Sequence, residues 1–136
     1  MLAPKNFIII LFTTILVSVI IILNPFSKDD DFSHFTFDAV YLEDQNSIKI
    51  TFLDTTNKSS FAVLEILGMD ETYHNEFDIY NSEFSKLIPF EKIPKYGWKT
   101  VPVTLEINYE NSIVKMKTEV YEQNESPSQV IFSPSD

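Results

Sequence analysis

Two hydrophobic patterns divide the chain. From Phe7 to Leu23 (FIIILFTTILVSVIIIL) fourteen of seventeen positions are strongly apolar and none is charged. A helix rising about 1.5 Å per residue needs roughly 20 residues to cross a hydrocarbon core of about 30 Å. With Asn6 and Asn24 to Phe26 at its ends, the run therefore predicts a transmembrane helix within residues 1–26. A cleavable signal peptide has a shorter apolar region followed by a small-x-small site. Here the run is longer and leads into NPFSKDDD, with no Ala-x-Ala-like site, so an uncleaved signal anchor is expected. A buried core helix would show a polar stripe, which this segment lacks.

After an acidic stalk at 27–33 the apolar period becomes two, the signature of half-buried strands. Val101, Val103, Leu105, Ile107 and Tyr109 define one face, with Pro102, Thr104, Glu106, Asn108 and Glu110 opposite. Past the turn at Glu110 to Ser112, Val114, Met116, Thr118 and Val120 continue inward while Lys115, Lys117 and Glu119 point out, which predicts a hairpin. Phe35, Phe37, Ala39 and Tyr41, then Ile48, Ile50 and Phe52 beyond the turn at Asp44 to Ser47, predict another. Phe61 to Leu67 is apolar on both faces except at Glu65 and suits a central strand covered on both sides. The pattern weakens between Thr72 and Ile93, where Ser82 to Leu87 is compatible with a short helical turn. Six to eight short strands at intervals of about ten residues predict an all-β sandwich over 34–122. The tail at 123–136, rich in Ser and Pro, is expected to be flexible, with Val130 to Phe132 docking as an added strand on a neighbouring protein as the less favoured alternative.

Composition narrows the chemistry. From Lys28 onward nine lysines face twenty Asp and Glu, a net charge near −11, and the chain has no Arg, no Cys and only two glycines. A basic nucleic-acid surface, a thiolate or disulfide site and a Gly-rich phosphate cradle are excluded. Seven Phe, six Tyr and Trp98 between residues 34 and 121 supply core in place of a disulfide. With glycine so scarce, Asn46, Asn57 and Asn111 are the expected positive-φ turn residues. Lys5 and the amino terminus on one side of the apolar run, against Lys28 and Asp29 to Asp31 on the other, place the N-terminus in the cytoplasm and the domain outside.

The segment Pro94-Lys95-Tyr96-Gly97-Trp98-Lys99, leading into Val101 to Ile107 and the hairpin at Glu110 to Ser112, resembles the Gly-aromatic turn entering the penultimate strand of immunoglobulin-like and fibronectin-III-like domains. The resemblance spans roughly residues 34 to 121 and implies an immunoglobulin-like antiparallel β-sandwich ectodomain. The paired cysteines of antibody domains are missing. One anchor helix with one such domain is also similar in layout to archaellum stator subunits and small oxidase-assembly membrane proteins.

Candidate chemistry is sparse. Asp70, His74 and Glu76 together can hold a divalent cation, or Met69 and His74 copper, if the 69–78 loop folds back on itself; a charged surface loop is the ordinary alternative. Tyr96 and Trp98 are either lids over one end of the sandwich or interface anchors. Val40, Leu42 and Leu53 fall on the outer faces of their strands and mark a contact surface. Asn57-Lys58-Ser59 and Asn124-Glu125-Ser126 fit the N-glycosylation acceptor pattern. No nucleophile elbow accompanies the two histidines. The expectation is a non-enzymatic, single-pass cell-membrane protein with no cofactor, held by residues 7–23, whose extracytoplasmic domain is an accessory or interaction subunit with a protein partner. A metal-handling or redox-assembly domain using residues 69–78 is the alternative.

Overall fold

The computed structural model describes residues 31–135, with side chains to Ser133. The expected anchor, the stalk before Asp31 and the orientation built on them lie outside the described residues. Among the described residues no helix is long and apolar enough to cross a membrane.

Nine strands form the domain: β1 (Phe35–Leu42), β2 (Ser47–Asp54), β3 (Ser59–Ile66), β4 (Tyr73–Asp78), β5 (Glu83–Pro89), β6 (Pro102–Tyr109), β7 (Ser112–Glu119), β8 (Tyr121–Glu122) and β9 (Ile131–Ser135). They divide into a four-stranded sheet, β5-β2-β1-β8, and a five-stranded sheet, β4-β3-β6-β7-β9. All pairings are antiparallel except β1 with β8. The result is an all-β, sandwich-like fold compatible with an immunoglobulin-like resemblance.

The period-two pattern explains the packing. Successive side chains of a strand alternate between faces, so Phe35, Phe37, Ala39 and Tyr41 share one side of β1 and meet Ile48, Ile50 and Phe52 of β2. Val103, Leu105 and Ile107 of β6 do the same beside Val114 and Met116 of β7. All are buried in one continuous apolar cluster drawn from both sheets. Burying each large aliphatic or aromatic side chain contributes roughly 1.5–3 kcal/mol, so a core of this extent holds the domain without a disulfide.

Several expectations need correction. Ser82 to Leu87 contains no helical turn: Asn81 and Ser82 take positive φ of 57° and 53°, bridge Tyr80 to Glu83, and carry the chain from β4 into β5 of the other sheet. Phe61 and Val63 lie on the outer side of β3 and are only half-buried, so that strand is central in its sheet but not covered on both faces. Asn46 and Asn57 adopt positive φ as expected, but in the second hairpin Glu110 does so instead of Asn111. The tail contributes β9, which pairs with β7 and stacks Phe132 on Phe32 at 4.9 Å between ring centroids. Ile131 and Phe132 of the triplet thus join a strand of their own domain rather than a neighbour's, and Phe132 completes an aromatic row with Phe32 and Phe35.

Candidate functional site

Strand directions define two poles. At the first, where residue 31 joins the domain, the β2–β3 and β6–β7 turns meet: the Thr55 N–H donates to the His34 carbonyl at 3.1 Å, and the Tyr109 hydroxyl donates to the Thr56 hydroxyl at 3.1 Å, since the one Thr56 proton goes to Asp54. Asp54 is the hub of this pole. The residue is 2% exposed, and its carboxylate accepts from the Thr56 N–H (2.8 Å) and hydroxyl (2.6 Å), the Lys58 N–H (3.0 Å), and the Ser59 N–H (3.0 Å) and hydroxyl (2.7 Å). The Asp54 N–H donates to the carbonyl of Ser82, whose buried hydroxyl donates to the Ser59 carbonyl at 3.0 Å. Burial opposes the charge, but the hydrogen bonds from Thr56, Ser59 and Lys58 outweigh it and hold the carboxyl below its ordinary range. This buried network ties the end of β2, the start of β3 and the β4–β5 crossover. Sequence patterning missed it because its members are separated by up to 28 positions.

The opposite pole gathers the β1–β2 turn, the β3–β4 turn and the long loop from Phe90 to Val101. Trp98, 2% exposed, stacks on Tyr41 at 4.2 Å and meets Phe90 edge-on, closing this end of the core. Tyr96, two residues earlier, is 76% exposed. One residue of the pair is therefore a lid and the other a surface group. Between the β3–β4 turn and the long loop lies an open cleft of about 410 Å³, lined by Met69, Asp70, Ile93, Tyr96, Lys92 and Lys95 among others. A neighbouring 120 Å³ cavity is bounded by Trp98, Ile93, Tyr41, Glu43 and Glu122. The Trp98 indole N–H is buried without an acceptor among the described residues.

The residues proposed for a cation divide between two places. Met69 and Asp70 line the cleft at the second pole, whereas His74 and Glu76 stand on the outer face of β4. The His74 ring lies between two carboxylates, Nδ1 at 2.9 Å from Glu65 of β3 and Nε2 at 3.1 Å from Glu76. Hydrogen bonding to Glu65 first, and to Glu76 second, raises the imidazole pKa above its ordinary value. That arrangement favours an imidazolium, with both nitrogens serving as donors, over a metal ligand that needs a free lone pair. Among the described residues no group of three or more His, Cys, Asp and Glu side chains is disposed to hold a metal ion.

Val40, Leu42 and Leu53 lie on the outer side of the four-stranded sheet, the side that parity assigns them. Val40 and Leu42 are half-buried, and Tyr121 of β8 lies beside Val40 with its hydroxyl donating to Asp38 at 2.8 Å. Burial first, then the Asp38 carboxylate, pushes the Tyr121 phenol up to about 12. Leu53, 39% exposed, borders a shallow 510 Å³ cleft with Thr36, Glu83 and the exposed Tyr80. Asn57 sits exposed in the β2–β3 turn, but the Ser59 hydroxyl of its acceptor triplet is buried against Asp54. Asn124 is exposed beyond β8.

These features define a two-sheet domain with a buried apolar core and with exposed or half-buried apolar side chains at one pole and on its outer faces. No protein-family model matches the chain, and neither do any of the curated proteins or solved structures searched.

Proposed function

We propose that the chain is a single-pass, membrane-anchored, extracytoplasmic β-sandwich that serves as a protein-interaction or accessory subunit of a membrane or cell-envelope complex. The observation that carries this reading is the pairing of a charge-free apolar run at residues 7–23 with a separate, self-sufficient domain whose large apolar side chains Leu53, Leu87, Ile93 and Tyr96 stand exposed. Such groups gain free energy when a partner removes them from water.

The strand order supports the finer fold assignment. Strands β1, β2 and β5 in one sheet, opposed by β4, β3, β6 and β7 in the other, follow the seven-strand order of an immunoglobulin-like sandwich of the fibronectin-III kind. The short β8 and β9 are additions after the seventh strand. Folds of this type host many functions, so the functional reading rests on the surface and the anchor.

Two edges of the sandwich are protected in a way that favours specific contacts over strand addition. Lys86 of edge strand β5 lies on the inner side, with its ammonium 4.0 Å from the Phe77 ring centroid, and Asn75 on edge strand β4 is half-buried with its amide donating to the Tyr73 hydroxyl. Polar groups turned inward at an edge penalise pairing with another chain. The outer face near Val40, Leu42 and Leu53 and the pole bearing Tyr96 remain as contact surfaces.

Topology supplies the test. A protease added to spheroplasts should remove the domain after Lys28 and spare the apolar segment. Full protection of the domain would overturn the extracytoplasmic placement. Replacing Val40 and Leu42 with Thr should weaken complex formation while the domain stays folded; unfolding would assign both residues to the core instead.

A further inference from the structure

The loop from Phe90 to Thr100 reverses the charge of its surroundings. It holds three of the nine lysines of the extramembrane chain and a single acid, Glu91, in a region whose net charge is near −11. Lys99 is paired with Glu125 at 3.3 Å, whereas neither Lys92 nor Lys95 enters an ion pair among the described residues. Lys95 instead stands 5.3 Å from the Tyr96 ring centroid. Between the lysines, Ile93 is 69% exposed, and the adjoining 410 Å³ cleft is lined across from the loop by Met69, an adaptable apolar residue suited to accommodating an inserted side chain, and by Asp70, the one carboxylate against the two lysines there.

Resting on the interaction-subunit reading above, we propose that this pole is the docking site for an acidic segment of a partner protein, with an apolar side chain entering the Met69–Ile93–Tyr96 cleft and carboxylates meeting Lys92 and Lys95. Charge complementarity selects this occupant. An anionic bilayer would repel the rest of the domain, whose acids outnumber its lysines about two to one.

The test uses the full chain in nanodiscs of zwitterionic lipid, probed with a displayed library of random dodecapeptides. Enriched peptides should carry Asp or Glu beside an apolar or aromatic residue. A synthesised winner should bind about tenfold or more weakly to the Lys92→Glu/Lys95→Glu double variant and to Ile93→Ser, and weaken with salt, while Lys115→Glu on the remote sheet face leaves it unchanged. Circular dichroism confirms that the variants, all at exposed positions, stay folded. Enrichment without acids, no enrichment at all, or equal binding to the double variant would overturn the proposal, as would lysine-dependent binding to phosphatidylglycerol vesicles without peptide selectivity. In native membranes a complex that survives the double substitution rejects this docking site and leaves the subunit reading standing; a chain that is monomeric before any substitution rejects that reading.

Discussion

Asp54→Ala isolates the polar network that positions one pole of the domain. The wild-type carboxylate takes five hydrogen bonds at 2.6–3.0 Å, three of them from backbone N–H groups. Alanine leaves those donors without an acceptor, and the Ser59 N–H keeps only the Ser82 hydroxyl at 3.1 Å. A hydrogen bond to a charged group contributes about 1.5–3 kcal/mol and an unsatisfied buried donor costs about 1–3 kcal/mol, and these are not additive within one network. Water can reach the exposed Thr56 and Lys58 but not the buried Ser59, so a loss of about 3 kcal/mol is expected. For a domain of about 105 residues that lowers Tm by roughly 14 °C. The assay is thermal unfolding of residues 28–136, followed by far-ultraviolet circular dichroism and by Trp98 fluorescence. A pH series adds an independent check. The folded pKa of Asp54 is depressed, so its stabilisation is fully present above the unfolded value near 3.9 and is lost as pH falls through the lower folded value. The wild-type advantage over Asp54→Ala should therefore shrink only in strong acid. A loss below about 0.5 kcal/mol at neutral pH, within the range of surface substitutions, would refute the role assigned to the network.

Three further outcomes follow from local geometry. His74 should titrate above the ordinary histidine value by NMR, with Glu65→Gln lowering its pKa more than Glu76→Gln; its stabilising contribution is complete below about 6.5 and disappears as pH rises through the raised folded pKa. Tyr121 should ionise near 12 in an ultraviolet titration, and Asp38→Asn should bring it down; because the unfolded phenol loses its proton near 10, this group costs stability as pH climbs from there. Gly68→Ala and Gly97→Ala should each lower the urea midpoint, for different reasons. A Cβ at 68, where φ is +78°, would lie 3.1 Å from the Thr100 carbonyl oxygen, whereas one at 97 meets open space but would be forced to φ 84°, ψ 169°, a region essentially reserved for glycine and costing about 1–3 kcal/mol.

The two hairpins were legible because their strands alternate without interruption. The turn at Glu110 to Ser112 fixes β6 against β7, with Tyr109 opposite Ser112 and Pro102 opposite Glu119, and the first hairpin runs in register from Leu42–Ser47 to Phe35–Asp54. The stretch from Thr72 to Ile93 was obscure because β4 and β5 belong to different sheets: the two do not pair with each other, β5 pairs with the distant β2, and edge positions Asn75 and Lys86 turn polar groups inward. Residue types near Tyr96 marked the second pole, but the separation of Trp98 as lid from Tyr96 as surface depends on the stacking of Trp98 on Tyr41, 57 positions away. The Glu65 partner of His74 likewise comes from cross-strand register, which no local spacing encodes.

The most direct measurement is the native mass of the epitope-tagged full chain in membranes solubilised with a mild detergent, compared with the same chain purified and reconstituted alone. A subunit of an envelope complex should migrate well above the reconstituted 15.8 kDa chain and shift toward it on substitution of the contact surfaces. Co-migration of the native and reconstituted forms, at every detergent concentration that keeps the membrane complexes of the same preparation intact, would contradict an interaction role.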